Sequence, residues 1–172
     1  MGEATPSRLI WSETGPWRLT IVYRDEVPHN FPKPHTDLLE QFAAYRVPPD
    51  KTDEVAKFDG SVLVERTKGE VSARCDMKEM NYLALNLMHE IVNGKRSVEE
   101  ARKFYAETAA GFSLGRRSPY TQGLLFRVPD RETADVDETM IAGAMLRQSA
   151  KKVGDLLTGD AIAAEQKTTN LA

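Results

Sequence analysis

DMKEMNYLALNLMHEIVNG, residues 76–94, is the most apolar helical stretch of the chain, and its reading decides what the other segments must do. Asp76 and Glu79 stand in a capping-box relation, with Asp in the Ser/Thr place. Met77, Met80, Ala84, Leu87 and Ile91 recur at three- and four-residue spacing, and Gly94 follows as a residue able to take the left-handed stop. A second row, Tyr82, Leu85, Met88 and Val92, lies beside the first and leaves Glu79, Asn86, Glu90 and Asn93 as a narrow polar strip. A helix apolar over that much of its circumference needs either a central place in a core or a second copy of the chain on its outer side. The leading expectation is therefore a self-associating, non-catalytic binding module, a homodimer sharing a surface of Met77, Met80, Leu87, Met88 and Ile91. Each large side chain buried there contributes roughly 1.5 to 3 kcal/mol. The methionines could instead line an adaptable ligand pocket, but packing is the more usual fate of such residues.

Outward from this helix, the N-terminal side reads as strands. Arg8 to Ser12 and Trp17 to Arg24 flank the turn Glu13-Thr14-Gly15-Pro16, and Trp17, Leu19, Ile21 and Tyr23 alternate against Arg18, Thr20, Val22 and Arg24. Val27 to Pro34, with three prolines in eight residues, predicts a loop. Thr36 is placed to cap a short helix with Leu38, Leu39, Phe42, Ala43 and Tyr45 as its apolar stripe, ending before Pro48-Pro49. Lys51 to Gly60 is charged and turn-rich. Ser61–Arg66 and Val71–Cys75 then flank Thr67-Lys68-Gly69-Glu70 as a hairpin.

On the C-terminal side, Ser97-Val98-Glu99-Glu100 is a second capping box opening another helix. The link from Gly94 is short enough to make the two helices an αα-hairpin. Gly111 to Gly123 is a second punctuated loop, and Leu124 to Val128 is a candidate fifth strand. The acidic run from Asp130 to Glu138 reads as linker, and Thr139 to Leu157 as a final helix interrupted by Gly143 and Gly154. Helical and strand patterns do not alternate singly. The expected fold is therefore α+β, an antiparallel sheet of four to five strands with the αα-hairpin and further helices packed on one face. The 172 residues fit one domain over 8–157, with a flexible N-terminus at 1–7 and a mobile tail at 158–172.

Charge and cysteine content narrow the function classes. The net charge is −3, and residues 61–127 carry 11 Lys or Arg against 8 Asp or Glu, too slight an excess for a DNA-binding face. The single Cys75 excludes an intramolecular disulfide and suits a reducing interior. Residues 1–9 lack a signal-peptide layout, and no apolar run reaches the roughly 18 to 20 residues of a spanning helix. The expectation is a cytoplasmic protein without membrane contact.

Three constellations could carry chemistry. His29, His35 and His89 could join Cys75 as metal ligands, but His29 and His35 are six apart across a proline loop. His89-Glu90 is followed by Ile91-Val92-Asn93, where a zinc-protease helix would carry its second histidine. No metal and no cofactor are therefore expected. His89 with Glu90, or His29 with His35, could serve as polar groups of an enzyme or small-molecule cleft, with Asp37 as a further carboxylate able to orient an imidazole. Arg116, Arg117, Ser118 and Tyr120 supply donors suited to an anion or an RNA backbone. The G-x-S-x-G elbow, dinucleotide and Walker loops and C-x-x-C are all missing, so the sequence points to no particular reaction.

Overall fold

The alternation beginning at Trp17 specifies the third of six strands in one antiparallel sheet. The strands are β1 (Gly2–Ala4), β2 (Arg8–Thr14), β3 (Trp17–His29), β4 (His35–Ala44), β5 (Val62–Glu65) and β6 (Glu70–Cys75). The helices that pack with them are α1 (Thr52–Phe58), α2 (Lys78–Val92) and α3 (Val98–Ser113). This computed structural model describes residues 2–130 and 132–154. Strand order is β1-β2-β3-β4-β6-β5, and every neighbouring pair is antiparallel. The class is α+β as expected, with six strands in place of four to five. The chain divides into two compact units, Met1–Val136 and Asp137–Ala172.

Two segments join the sheet against the sequence pattern. Gly2–Ala4, expected to fray, pairs with Leu9–Trp11. More consequentially, the apolar stripe from Leu38 to Tyr45, which suggests a helix, is the central strand β4. Flanked by β3 and β6, it is an interior strand with both hydrogen-bonding edges paired, and Leu38 and Leu39, on opposite faces, are each half-buried. Its buried polar side chains, Asp37, Glu40 and Gln41, all find work in the fold. Glu40 accepts from the Tyr23 hydroxyl at 2.6 Å and the Ser72 hydroxyl at 2.7 Å, and the Asn81 amide of α2 donates to Gln41 at 3.1 Å. β3 continues through a register shift between Val22 and Val27 into the proline-rich stretch read as loop.

The charged segment after Pro49 forms α1 because Val55 and Phe58, one turn apart, are fully buried. Leu124–Val128 is not a strand among the described residues. The Leu125 amide instead donates to Asn86 Oδ1 at 2.7 Å, and the Asn86 amide donates to the Tyr120 and Gly123 carbonyls at 3.1 and 2.8 Å.

That clamp closes the polar strip of α2, and with it the case for a partner surface. Leu87, Met88 and Ile91 are 0 % exposed and Met80 7 %, enclosed by β4 and β6, by α1 and α3, and by the 119–126 segment. Only Met77 is half-buried. Four of the five residues expected at a homodimer surface therefore fill this chain's own core and Met77 packs against it, so the excess of apolar circumference on this helix that motivated self-association is absent.

The helix ends were partly legible. Ser97 and Glu100 form their capping box, with the Ser97 amide donating to Glu100 Oε2 at 2.8 Å and the Glu100 amide to Ser97 Oγ at 3.2 Å. Gly94 takes φ +66° after α2. The Asp76–Glu79 box does not form. Met77 is the N-cap, with no side-chain hydrogen bond, and the Asp76 carboxylate faces Cys75 instead.

In the second unit, residues 141–154 are helical, within the span predicted; residues 155–157 and the 158–172 tail fall outside the described residues. Among the described residues no helix is long and apolar enough to cross a membrane.

Candidate metal centre

The β3–β4 hairpin puts His29 directly opposite His35 in the strand register. His35 and Asp37, two apart on β4, share a face of the sheet, and the cross-strand pairing places His29 on that same face. The six-residue gap between the histidines, which in sequence argued against a shared site, is thus the length of a hairpin end. The imidazole centroids are 4.9 Å apart. His29 Nδ1 lies 3.3 Å from Asp37 Oδ2, and His35 Nε2 lies 3.1 Å from Asp37 Oδ1. One donor atom from each of the three residues lies within 4.8 Å of the others.

One hydrogen-bond partner fixes an imidazole proton. A carbonyl only accepts, so His35 Nδ1, 2.8 Å from the Lys33 carbonyl, carries a proton, and the lone pair of the neutral ring is on Nε2. His29 Nε2 stands 3.6 Å from Asp59 Oδ1, near enough for charge attraction and too far for a hydrogen bond. Asp59 is itself held by the Ser61 amide at 2.9 Å and hydroxyl at 2.8 Å. His29 Nδ1 and His35 Nε2 thus both face the Asp37 carboxylate, one toward each oxygen. His29 Nδ1 and Asp37 Oδ1 are buried without a hydrogen-bond partner, and Asp37 is 2 % exposed.

The surroundings raise the cost of leaving this cluster uncompensated. Burial pushes the Asp37 carboxyl above its usual range, against the opposing pull of His29, His35 and Arg74. Phe31 from the hairpin end, packed between Phe58 and Tyr105 and overlaid by the Arg102 guanidinium 3.9 Å from its ring centre, roofs the site. Cys75, at the end of β6, has its sulfur 3.4 Å from His35 Nε2. Burial, then the Asp76 charge, pushes its thiol up to about 12, so it is a protonated neighbour rather than an activated nucleophile. A cavity of about 40 Å³ opens beside His35, Cys75 and Tyr105. That is room for a water or two.

The other residues singled out in the sequence lie in two further places. His89 Nδ1 meets the Tyr45 hydroxyl at 2.8 Å and stacks on Phe126 at 4.7 Å, and burial lowers its pKa. Glu90 takes hydrogen bonds from Tyr120 and from Arg96, each at 2.6 Å. Burial raises Glu90, but these two donors outweigh it and hold the carboxyl below its ordinary range. His89 and Glu90 thus serve separate structural contacts and do not combine into an acid–base pair. Tyr120 and Ser118 are likewise engaged, Tyr120 with Glu90 and Ser118 as an acceptor for the Tyr120 amide. Arg116 and Arg117 are exposed.

Asp37 does orient an imidazole, but those of His29 and His35 rather than His89. Asp59 went unnoticed because it lies after a helix that the sequence pattern hides. The legible clue was His35-Thr36-Asp37, which on a strand puts an imidazole and a carboxylate side by side. Comparison with known protein families, curated proteins and solved structures gives no match, so the site's own geometry carries the functional reading.

Proposed function

We propose that this chain is a metal-binding protein in which His29 Nδ1, His35 Nε2 and Asp37 hold a divalent transition-metal ion. The observation that supports it is the meeting of two imidazole nitrogens and a carboxylate in a largely buried, aromatic-roofed site, with the His35 Nδ1–H directed to the Lys33 carbonyl behind it. Ligands about 2.0–2.1 Å from a tetrahedral ion stand roughly 3.4 Å apart; each histidine lies near that distance from one Asp37 oxygen, at 3.1 and 3.3 Å, and one donor atom per residue falls within 4.8 Å of the others, so small side-chain shifts would close the set on an ion. Two imidazoles and a carboxylate suit zinc or ferrous iron better than magnesium or calcium, which take oxygen ligands. The Lys33 carbonyl acts from behind, fixing the tautomer and aim of His35, and the Asp59 carboxylate lies behind His29. The adjoining cavity admits a water as a further ligand but no organic substrate, so the role is binding, with the ion tying the end of β3 to the start of β4.

Calorimetric titration of metal-stripped protein with zinc tests this. The expected result is one ion per chain, lost in His35→Ala and in His29→Ala and retained in His89→Ala. Zinc uptake indifferent to His35→Ala, or abolished equally by His89→Ala, would overturn the assignment.

A further inference from the structure

A cavity of about 520 Å³ lies apart from the histidine cluster, where the start of α2 faces the loop that follows α3. Its volume falls within the roughly 300–1,000 Å³ range of small-molecule sites. Lys78, Arg116 and Arg117 line it together with Gln122, and Glu79 is the only carboxylate on its wall among the described residues. None of the three cations makes an ion pair among the described residues. Tyr82 and Phe112 supply an apolar flank.

The arrangement is held by the backbone. Gly115 adopts φ +79°, the Gly115 amide donates to the Phe112 carbonyl and the Arg116 amide to the Gly111 carbonyl, both at 2.9 Å. The aliphatic stem of Arg116 lies against Gly111, where an added Cβ would come within 3.6 Å of Arg116 Cδ. The chain thereby turns back and carries both arginines toward Lys78. Three like charges on one concavity repel one another unless an anion offsets them.

We infer that this cavity binds a small organic anion, a phosphate monoester or a carboxylate with an apolar body, through Lys78, Arg116 and Arg117. The guanidinium groups take two oxygens each, the ammonium acts as a point charge, and Tyr82 and Phe112 receive the apolar part. This narrows the donor set suggested by the sequence, since Ser118 and Tyr120 are spent on internal contacts.

Trp17 stacks on Tyr82 at 5.2 Å between ring centres, so its fluorescence reports on the cavity wall. Metal-free protein, prepared by dialysis and kept in chelator-free buffer, is titrated with phenyl phosphate, inorganic phosphate and benzoate, which separates this site from the histidine cluster. Saturable quenching by phenyl phosphate or benzoate is expected, tighter than by inorganic phosphate and weakened by added sodium chloride; which of the two binds better distinguishes phosphate from carboxylate. Arg116→Gln with Arg117→Gln, and Lys78→Gln alone, should each weaken it at least tenfold, while Lys57→Gln, off the cavity, should not. All these residues are exposed, and circular dichroism verifies that the variants fold. No saturable signal, equal affinity in the double-arginine variant, or response to single-stranded RNA but to none of the small anions would overturn the assignment.

Discussion

Substituting Asp37 by Asn should have opposite effects with and without metal. The two side chains have the same shape, so the change alters one charge and replaces an acceptor with a donor. In the metal-free protein, Asp37 Oδ1 is buried, has no hydrogen-bond partner and stands 3.1 Å from the unprotonated His35 Nε2. An amide nitrogen in that place donates to His35 and removes an unsatisfied acceptor. Such a group typically costs about 1–3 kcal/mol. At about 2–4 °C per kcal/mol for a chain of this size, Asp37→Asn should melt roughly 2–12 °C higher than the parent once metal is removed.

Zinc at about a hundred times its Kd should stabilise the parent by about 2.7 kcal/mol, roughly 5–11 °C, and the variant not at all. The pH dependence has a definite sign as well. Because the folded Asp37 pKa is raised above 3.8, the folded chain keeps its proton where the unfolded chain has lost it. The stabilisation is complete below 3.8 and is lost as pH rises through the folded value, a slope that Asp37→Asn removes. Differential scanning calorimetry with and without zinc measures all of this. If Asp37 were instead held in an internal ion pair, the metal-free variant would lose about 3–5 kcal/mol, and that result would refute the reasoning.

Three further outcomes follow from the packing. Asn86→Ala strips the buried Asn86 amide's two donors from the half-buried Tyr120 and Gly123 carbonyls and one acceptor from the Leu125 amide, so urea denaturation should show a loss of about 2–4 kcal/mol; a loss under about 1 would mean the clamp on residues 119–126 is inessential. Cys75, with its thiol pushed up to about 12, should resist iodoacetamide at pH 8 in the native protein and react only on unfolding. Its linkage also makes stability fall between pH 9 and about 12, because the unfolded thiol ionises first. Gly69→Ala should destabilise by several kcal/mol in the same urea assay, since φ is +67° there and an added Cβ would stand 2.2 Å from the Thr133 carbonyl carbon.

How far the sequence led depended on whether a segment's neighbours were local. β2, β3, the β5–β6 hairpin, α2 and α3 carry their own periodicity and caps, and all were legible. β4 was not. Leu38, Leu39, Phe42, Ala43 and Tyr45 fit a helical stripe, and only the pairing of β4 with β3 on one edge and β6 on the other makes that segment a strand. That single misreading hid the metal site, because Asp37 and His35 share a face only on a strand. It also removed from view the sheet that covers α2, leaving more of that helix apparently bare than is so. His29 and His35 were identified as polar candidates, yet their meeting depends on a hairpin end placed in a proline-rich stretch, where loop and strand have the same signature.

Soaking crystals of the metal-free protein in zinc and recording anomalous differences at the zinc edge reaches the central claim most directly. One peak is expected, about 2.0–2.2 Å from His29 Nδ1, His35 Nε2 and an Asp37 oxygen. A cluster left vacant at zinc concentrations that fill surface sites, or a peak elsewhere alone, would contradict it.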